Sequence, residues 1–388
     1  MRLRGTVVFL SGGAILGWFW VRRRRKLSID LYRSAMAEAI REACHHSLRQ
    51  RIRRLVESKV PKKLREQHHE EGIHCTLSVS GGGQKNLYAL GALCACEDLN
   101  VTITHATGAS TGSWTACAAV THKIDKLLEL SVASYMVLSR HGTAVLWDMA
   151  SVFEHFLLLL FPPSSGAQAD ISTVCPKDDH MFITLSEMRL GRGNFFHERI
   201  YSKFRGTNDL VECLLSSATI PFFTAPHCGI FTRFRDMFVI DGGILNNTPF
   251  TALAGVKADT PMLRIVYPLN KNHELLCFSV DRGEELIMAG AEHLCELIMQ
   301  VEGCEEKSDE ESGQGRTRTK SFAQEYQKEL SLKSRLARGD ERGQVEFIRE
   351  PIRLRNKTRV SAAGVPGVTY WLEPDRWLND EPFPRFIS

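Results

Sequence analysis

The first apolar feature of the chain is an unbroken run. Residues Gly5–Val21 carry no charge; Arg2 and Arg4 precede them and Arg22–Arg25 follow. Seventeen residues is the short end of what a helix needs to span a bilayer. Trp18, Phe19 and Trp20 beside the arginines fit an interfacial belt, and the stronger positive flank predicts that everything after Arg22 stays cytosolic. A mitochondrial targeting segment is the alternative, since arginine is plentiful and the first acidic residue is Asp30. The run is apolar all round rather than amphipathic, which favours an N-terminal anchor over residues 1–26. From Ser28 to about His69 the period turns helical, through Ile29, Leu31, Tyr32, Ala35, Ala39, Ile40, Leu48, Ile52, Leu55 and Val56, with Pro61 as an interruption. The outer face is dense in arginine and lysine. Residues 27–72 therefore read either as a solvated helical spacer or as a basic membrane-surface helix.

Near Ile73 the pattern changes again. A strand, His74–Val79, runs into Gly81-Gly82-Gly83; a helix follows over Asn86–Leu99; a second strand, Val101–Ala106, leads to a turn at Ser110, and a helix starts near Ser113. This alternation predicts an α/β fold with a parallel central sheet flanked by helices in three layers. Further strands are expected at Met181–Leu185, Met237–Ile240, Leu263–Tyr267 and Leu276–Val280, with a closing helix over Glu284–Met299. The apolar stretch Val152–Phe161 reads as a core helix, or alternatively as an acyl-chain wall or lid. The compact domain is thus expected over residues 73–302, a charged flexible linker over 303–344, and an extended tail over 345–388 in which Trp371, Trp377, Phe383 and Phe386 can dock.

A charged fraction of 24% and a hydrophobic fraction of 43% are those of a folded protein, so disorder is local. The net charge of +4 is concentrated near the N-terminus, an arrangement suited to an anionic surface. Zinc-finger spacing and aromatic-basic modules are both missing, so nucleic acid is not an expected partner. The 11 cysteines include Cys75, Cys94, Cys96 and Cys117 in core segments, with spacing that suits neither a disulfide framework nor a metal site. They read as small buried hydrophobes in a reducing compartment.

Three motifs carry chemistry. In Gly108-Ala109-Ser110-Thr111-Gly112 a serine sits at a strand-to-helix junction, where a sharp turn would make bulky residues two positions either side clash. The plainer alternative is a helix cap made by Ser110 or Thr111. One strand earlier, Gly81-Gly82-Gly83 lets backbone N–H groups face a cleft and hold the oxyanion of an attacked ester. A nucleotide-phosphate loop ranks low there, because neither a Gly-Lys-Ser/Thr ending nor GxGxxG spacing is present. Lys85 can add positive charge at the same mouth. Downstream, the strand before Asp241-Gly242-Gly243 delivers a carboxylate to the sheet edge, where burial would make it basic enough to take a serine proton. An ordinary Asp-Gly turn is the alternative.

In this order and these strand contexts, the motifs resemble those of the patatin-like phospholipase domain: a glycine-rich oxyanion segment, a GxSxG elbow and an Asp-Gly-Gly turn. Ser216–Phe223 resembles the family's Ser-x-x-x-Pro segment, and Asn247 and Pro249 follow the aspartate motif in the usual places. The resemblance covers about Cys75–Met299. It departs where the oxyanion segment usually ends in glycine after a basic residue; here Asn86 follows Lys85.

The resemblance implies a lipid acyl-ester hydrolase with Ser110 as nucleophile, Asp241 as base, and no histidine, metal or organic cofactor. Its substrates would be phospholipids or acylglycerols at a membrane or lipid-droplet surface. Acyl transfer to a second lipid, or a silent lipid-binding role on the same fold, are the alternatives. A triad of the more common kind would need His273 or His293, the histidines that follow Asp241.

Overall fold

The computed structural model of the chain describes residues 3–42, 45–145, 148–163, 176, 178–189, 195–225, 229–249, 253, 261–266, 279–311, 344–348 and 368–372. Helices α1 (Leu3–Glu42), α2 (His45–Lys59) and α3 (Lys62–Glu71) precede the first strand, β1 (Ile73–Val79). Then come α4 (Asn86–Asp98), β2 (Val101–Ala109), α5 (Thr111–Val120), α6 (Ile124–His141) and α7 (Met149–Leu160). The chain continues through β3 (Met181–Met188), β4 (Phe196–Tyr201), α8 (Thr207–Ser217), β5 (Thr232–Phe234), β6 (Met237–Asp241) and β7 (Met262–Val266). Helix α9 (Val280–Glu311) and strands β8 (Gln344–Ile348) and β9 (Val368–Leu372) complete the order.

The fold is α/β, as expected, with a sheet that is mixed rather than wholly parallel. Its centre, β7-β1-β2-β3, is parallel. The flanks are antiparallel: β8 on β7, β4 and β6 on β3, β5 on β6, and β9 on β4. Consecutive residues Cys75 to Val79 of β1, and Met181 to Glu187 of β3, are all buried. Because neighbouring side chains point to opposite faces, this requires cover on both sides of the sheet.

One detail of register decides the geometry of the site. Strand β4 pairs with residues 183–188 of β3, overlapping the stretches used by β2 (181–184) and by β6 (185–188). A strand has two edges, so β2 and β6 must share the edge opposite β4. Strand β2 runs parallel to β3 and β6 runs against it, so their C-terminal ends meet head to head. Ala109 lies opposite Thr184, and Asp241 lies opposite the next residue, Leu185.

The N-terminal helices belong to the packed body. In α1, Tyr32, Met36 and Ala39 are buried, Ser28 donates to the Val145 carbonyl at 2.7 Å, and the Tyr32 hydroxyl lies 3.0 Å from Ser134 Oγ. Leu48, Ile52 and Val56 bury one stripe of α2. Several of its bases are paired: Arg49 binds Glu97, Asp98 and Asp125 at 2.7–3.2 Å, Arg51 binds Glu284, and Lys59 binds Glu292. Residues 28–60 thus form one wall of the domain instead of a spacer standing off it.

The run Gly5–Val21 forms the first half of α1. Among the described residues no helix is long and apolar enough to cross a membrane. A bilayer-spanning anchor is therefore unsupported. At a rise of 1.5 Å per residue the run reaches about 26 Å, short of a hydrocarbon core of about 30 Å.

Downstream, α9 begins at Val280, the last residue of the expected strand Leu276–Val280, whose residues 276–278 lie outside the described part. It continues to Glu311, into the stretch expected to be a linker; residues 312–343 lie outside the described part. The tail supplies two edge strands, with Trp371 in β9; Trp377, Phe383 and Phe386 lie outside the described part.

Helices α4 and α9 approach closely through two glycines. A Cβ on Gly91 would overlap the Ile287 carbonyl, and one on Gly290 would overlap the Tyr88 carbonyl. Both obstacles are helix backbone and cannot swing away. Gly91→Ala is expected to cost about 2–3 kcal/mol of stability, measurable by urea unfolding. An unchanged midpoint would show that the helices separate freely.

Candidate active site

Strand β2 ends at Ala109, α5 begins at Thr111, and Ser110 makes the whole turn between them with φ 53° and ψ −139°. That left-handed conformation is costly for a residue with a Cβ and persists only where its surroundings enforce it. Gly108 and Gly112 are necessary neighbours. A Cβ on Gly108 would lie 2.6 Å from the Gly112 carbonyl oxygen, and one on Gly112 would overlap the Ser80 carbonyl. Helix α5 aims the positive end of its dipole at the turn. Ser113 ties it from inside, donating its hydroxyl to the Ser110 carbonyl at 2.6 Å.

The register of β2 and β6 brings Asp241 to this turn. Ser110 Oγ donates to Asp241 Oδ2 at 2.6 Å, and the Gly243 N–H donates to Oδ1 at 2.7 Å. Burial pushes the Asp241 carboxyl up to about 6, against the opposing pull of those two hydrogen bonds. It is a base of useful strength near neutral pH and is ionised above that value. Gly242 packs so tightly on β3 that a Cβ would overlap the Thr184 carbonyl.

The glycine segment divides its work. The Gly81 N–H donates to the Asn247 carbonyl at 3.0 Å, and Asn247 Nδ2 returns a bond to the Gly81 carbonyl at 3.3 Å. Gly81 is thereby committed to holding the aspartate loop and is no oxyanion donor, contrary to expectation. Gly82 and Gly83 line the cavity beside Ser110, and Gly83 takes the left-handed φ of 56° that opens the loop. Lys85 closes the 3-10 turn Gly83–Lys85; its side chain lies outside the described part. Asn86, where the family pattern has glycine, donates its amide to the Thr111 hydroxyl, which donates to the Gly83 carbonyl at 3.1 Å. The departure thus links the glycine loop to the serine turn. Pro249 is buried further along the aspartate loop.

Ser217 has a role that its motif alone does not reveal. Its Oγ accepts the Ser110 N–H at 3.0 Å and donates to the Thr184 carbonyl at 2.7 Å. The Thr219 carbonyl accepts the Asp241 N–H at 2.9 Å. The Ser-x-x-x-Pro segment therefore braces both members of the pair. Gln84 also escapes the motif reading: its amide is buried with neither its nitrogen nor its oxygen hydrogen-bonded.

Of the two histidines that a triad would use, His293 lies on α9 with its Nδ1 2.6 Å from the Tyr88 hydroxyl, away from Ser110. His273 lies outside the described part. Among the described residues, no group of three His, Cys, Asp or Glu side chains could hold a metal ion. The free cysteines described, including Cys75, Cys94, Cys96 and Cys117, are all buried. Burial pushes the Cys75 thiol up to about 12 and Cys295 to about 11, so neither is a nucleophile at neutral pH.

Ser110 and Asp241 open onto a cavity of about 310 Å³. Its walls are mainly apolar, with Leu87, Leu90, Trp114, Leu138, Phe153 and Phe156 prominent. Helix α7 is divided between the core and the cavity wall. Leu157 and Leu160 are core, while Trp114 meets Phe153 edge-on and Phe156 in a stack, with ring centroids 4.9 and 5.8 Å away. Tyr32 of α1 completes the lining.

Residues 77–254 match the family model of patatin-like phospholipases, a range that contains the glycine segment, the Ser110 turn and the Asp241 loop. This stretch carries the resemblance to the patatin-like phospholipase family that the three motifs suggested. Among solved structures, VipD from Legionella pneumophila is similar at 16% identity and a TM-score of 0.26, over 46% of this chain and 47% of that one. Human GIVD cytosolic phospholipase A2 is similar at 14% identity and a TM-score of 0.21, over 41% of this chain and 26% of that one. The chain thus spans about half the length of the first and a quarter of the second. No curated protein matches the chain.

Proposed function

We propose that the protein is a serine lipid acyl-ester hydrolase working through a Ser110–Asp241 dyad. The 2.6 Å hydrogen bond between the two side chains, at the mouth of an apolar cavity, carries this reading. Ser110 Oγ attacks the ester carbonyl and passes its proton to Asp241 Oδ2. The carbonyl oxygen, now negative, is held by the N–H groups of Gly82 and Gly83. As the intermediate collapses, Asp241 returns the proton to the departing alcohol, leaving an acyl-serine. A water molecule then gives its proton to Asp241 and attacks the acyl carbon; as that intermediate collapses Asp241 returns the proton to Ser110 Oγ, the fatty acid leaves, and both side chains are restored. The apolar walls hold the acyl chain. On this reading the domain meets phospholipid or acylglycerol at a membrane or lipid-droplet surface on the cytosolic side.

Incubation of the purified protein with a mixed lipid extract tests the reaction class. Free fatty acids are expected from the wild type and only a trace from Ser110→Ala. Equal release from both would refute the assignment. Adding an alcohol acceptor separates hydrolysis from acyl transfer, because a transferase would convert the acceptor to its ester in preference to releasing acid.

The cavity assignment has its own test. Ser131 is a small lining residue. Ser131→Phe is expected to shift the ratio of kcat/KM for palmitate over butyrate esters downward by roughly tenfold, the loss of two or so buried methylene contacts. An unchanged ratio would place the acyl chain elsewhere.

A further inference from the structure

The mouth of the cavity carries an exposed apolar rim. Ile220 and Ile244 line the cavity yet are 42% and 39% exposed, and Phe222, between the lining residues Ile220 and Phe223, is 68% exposed. The rim extends to Ile230, 45% exposed, because the Phe222 N–H donates to the carbonyl of its neighbour Gly229 at 2.9 Å. Single exposed apolar side chains are commonplace, whereas a contiguous group around a cleft marks an interaction surface. Phe222 adds an independent sign. It holds φ 63°, a conformation suited to glycine and strained for an aromatic residue. Strain of this kind persists only where the surrounding structure enforces it, and it is concentrated at functional sites.

We infer that this rim is the face that enters a lipid surface, with Phe222 as its leading residue. The inference rests on the lipid-hydrolase reading and adds the docking surface to it. Its occupant follows from continuity. Ile220 and Ile244 belong to both the cavity and the rim, so a rim sunk among acyl chains joins the bilayer interior to the cavity. A lipid tail then reaches Ser110 without crossing water. Docking runs through apolar insertion at the mouth, independent of the arginine-rich N-terminal segments.

Flotation of the full chain with phosphatidylcholine vesicles tests this, since a zwitterionic surface gives little hold to a basic helix. Phe222→Gly removes the ring at a position whose backbone suits glycine, so folding is preserved; Ile230→Ser is the second variant. Both are expected to lower the vesicle partition coefficient at least tenfold, and hydrolysis of vesicle lipid with it. Cleavage of a soluble short-chain ester should fall by less than threefold, because neither side chain lines the cavity. Three results would overturn the inference: partition equal to wild type, binding only to vesicles with anionic lipid, or a wild-type dimer that Phe222→Gly converts to monomer. Failure of the hydrolase reading is separately visible, because a wild type that cleaves neither substrate would still show whether Phe222 governs partition.

Discussion

Ser110→Ala is expected to lower kcat/KM for lipid ester hydrolysis at least about 10⁴-fold while leaving the protein folded. The attacking oxygen is lost, and the hydroxyls next to it in the turn are committed to other bonds. Thr111 Oγ1 is bonded to the Gly83 carbonyl and Asn86, and Ser113 Oγ to the Ser110 carbonyl. Ser217 Oγ holds the Ser110 N–H and the Thr184 carbonyl. The turn itself depends on Gly108, Gly112 and the Ser217 bridge, none of which needs the Ser110 hydroxyl. Far-ultraviolet circular dichroism and the unfolding midpoint should therefore match the wild type. Residual activity above a few percent would point to a different nucleophile.

Asp241→Asn is expected to lower kcat/KM by about 10²- to 10⁴-fold, the range for a positioned general base. The amide can still accept a hydrogen bond from Ser110 but cannot take its proton. The pH profile separates this from a structural effect. In the wild type Asp241 must be ionised to act, and burial pushes its carboxyl up to about 6. Activity should rise through that pH and level off above it, and the inflection should vanish in the variant. Stability should move the other way. A carboxyl with a folded-state value above its unfolded one binds its proton more tightly when folded. Stability is therefore lost as pH rises from about 4 to about 6, and the neutral amide escapes that loss. At pH 7 the variant should unfold no more readily than the wild type.

Much of the site is legible in the sequence because its demands are local. A serine turn that excludes Cβ atoms needs Gly108 and Gly112, and the loop beside it turns at Gly83 with φ 56°; both leave glycines at set spacing. The alternation of β1, α4, β2 and α5 shows plainly because these elements are short and rich in small and apolar residues, with glycine-bearing turns after β1 and β2. Long-range pairing leaves no such trace. Nothing near Ser110 reveals that β6 meets β2 end to end on one edge of β3, nor that Ser217 bridges the turn to Thr184. The pair of hydrogen bonds between Gly81 and Asn247, which occupies the Gly81 N–H, is equally hidden.

The antiparallel flanks are missed for specific reasons. Strand β4 reads Phe-His-Glu-Arg-Ile-Tyr, yet its Arg199 is buried in a 2.6 Å ion pair with Glu187 of β3, and Glu198 is buried against Asn246 at 2.9 Å. Charges that pair inside the protein look in sequence like a solvated loop. The β5–β6 hairpin turns at Arg235 and Asp236, both with positive φ (46° and 67°). That two-residue turn is usually marked by Asn-Gly or Asp-Gly, so Arg-Asp conceals it. Helix α1 misleads differently. Its apolar period is visible, but the arginine-rich outer face suggests a spacer or a membrane-surface helix, whereas Tyr32 lines the cavity beside Ser110.

On the proposed mechanism Ser110 is an activated nucleophile held by Asp241. Reaction of the native protein with a fluorophosphonate, followed by peptide mass mapping, tests it most directly. One adduct per chain is expected, on Ser110, forming more slowly as pH falls below about 6 and nearly absent in Asp241→Asn. A folded protein that forms no adduct, or carries it on another residue, would contradict the account.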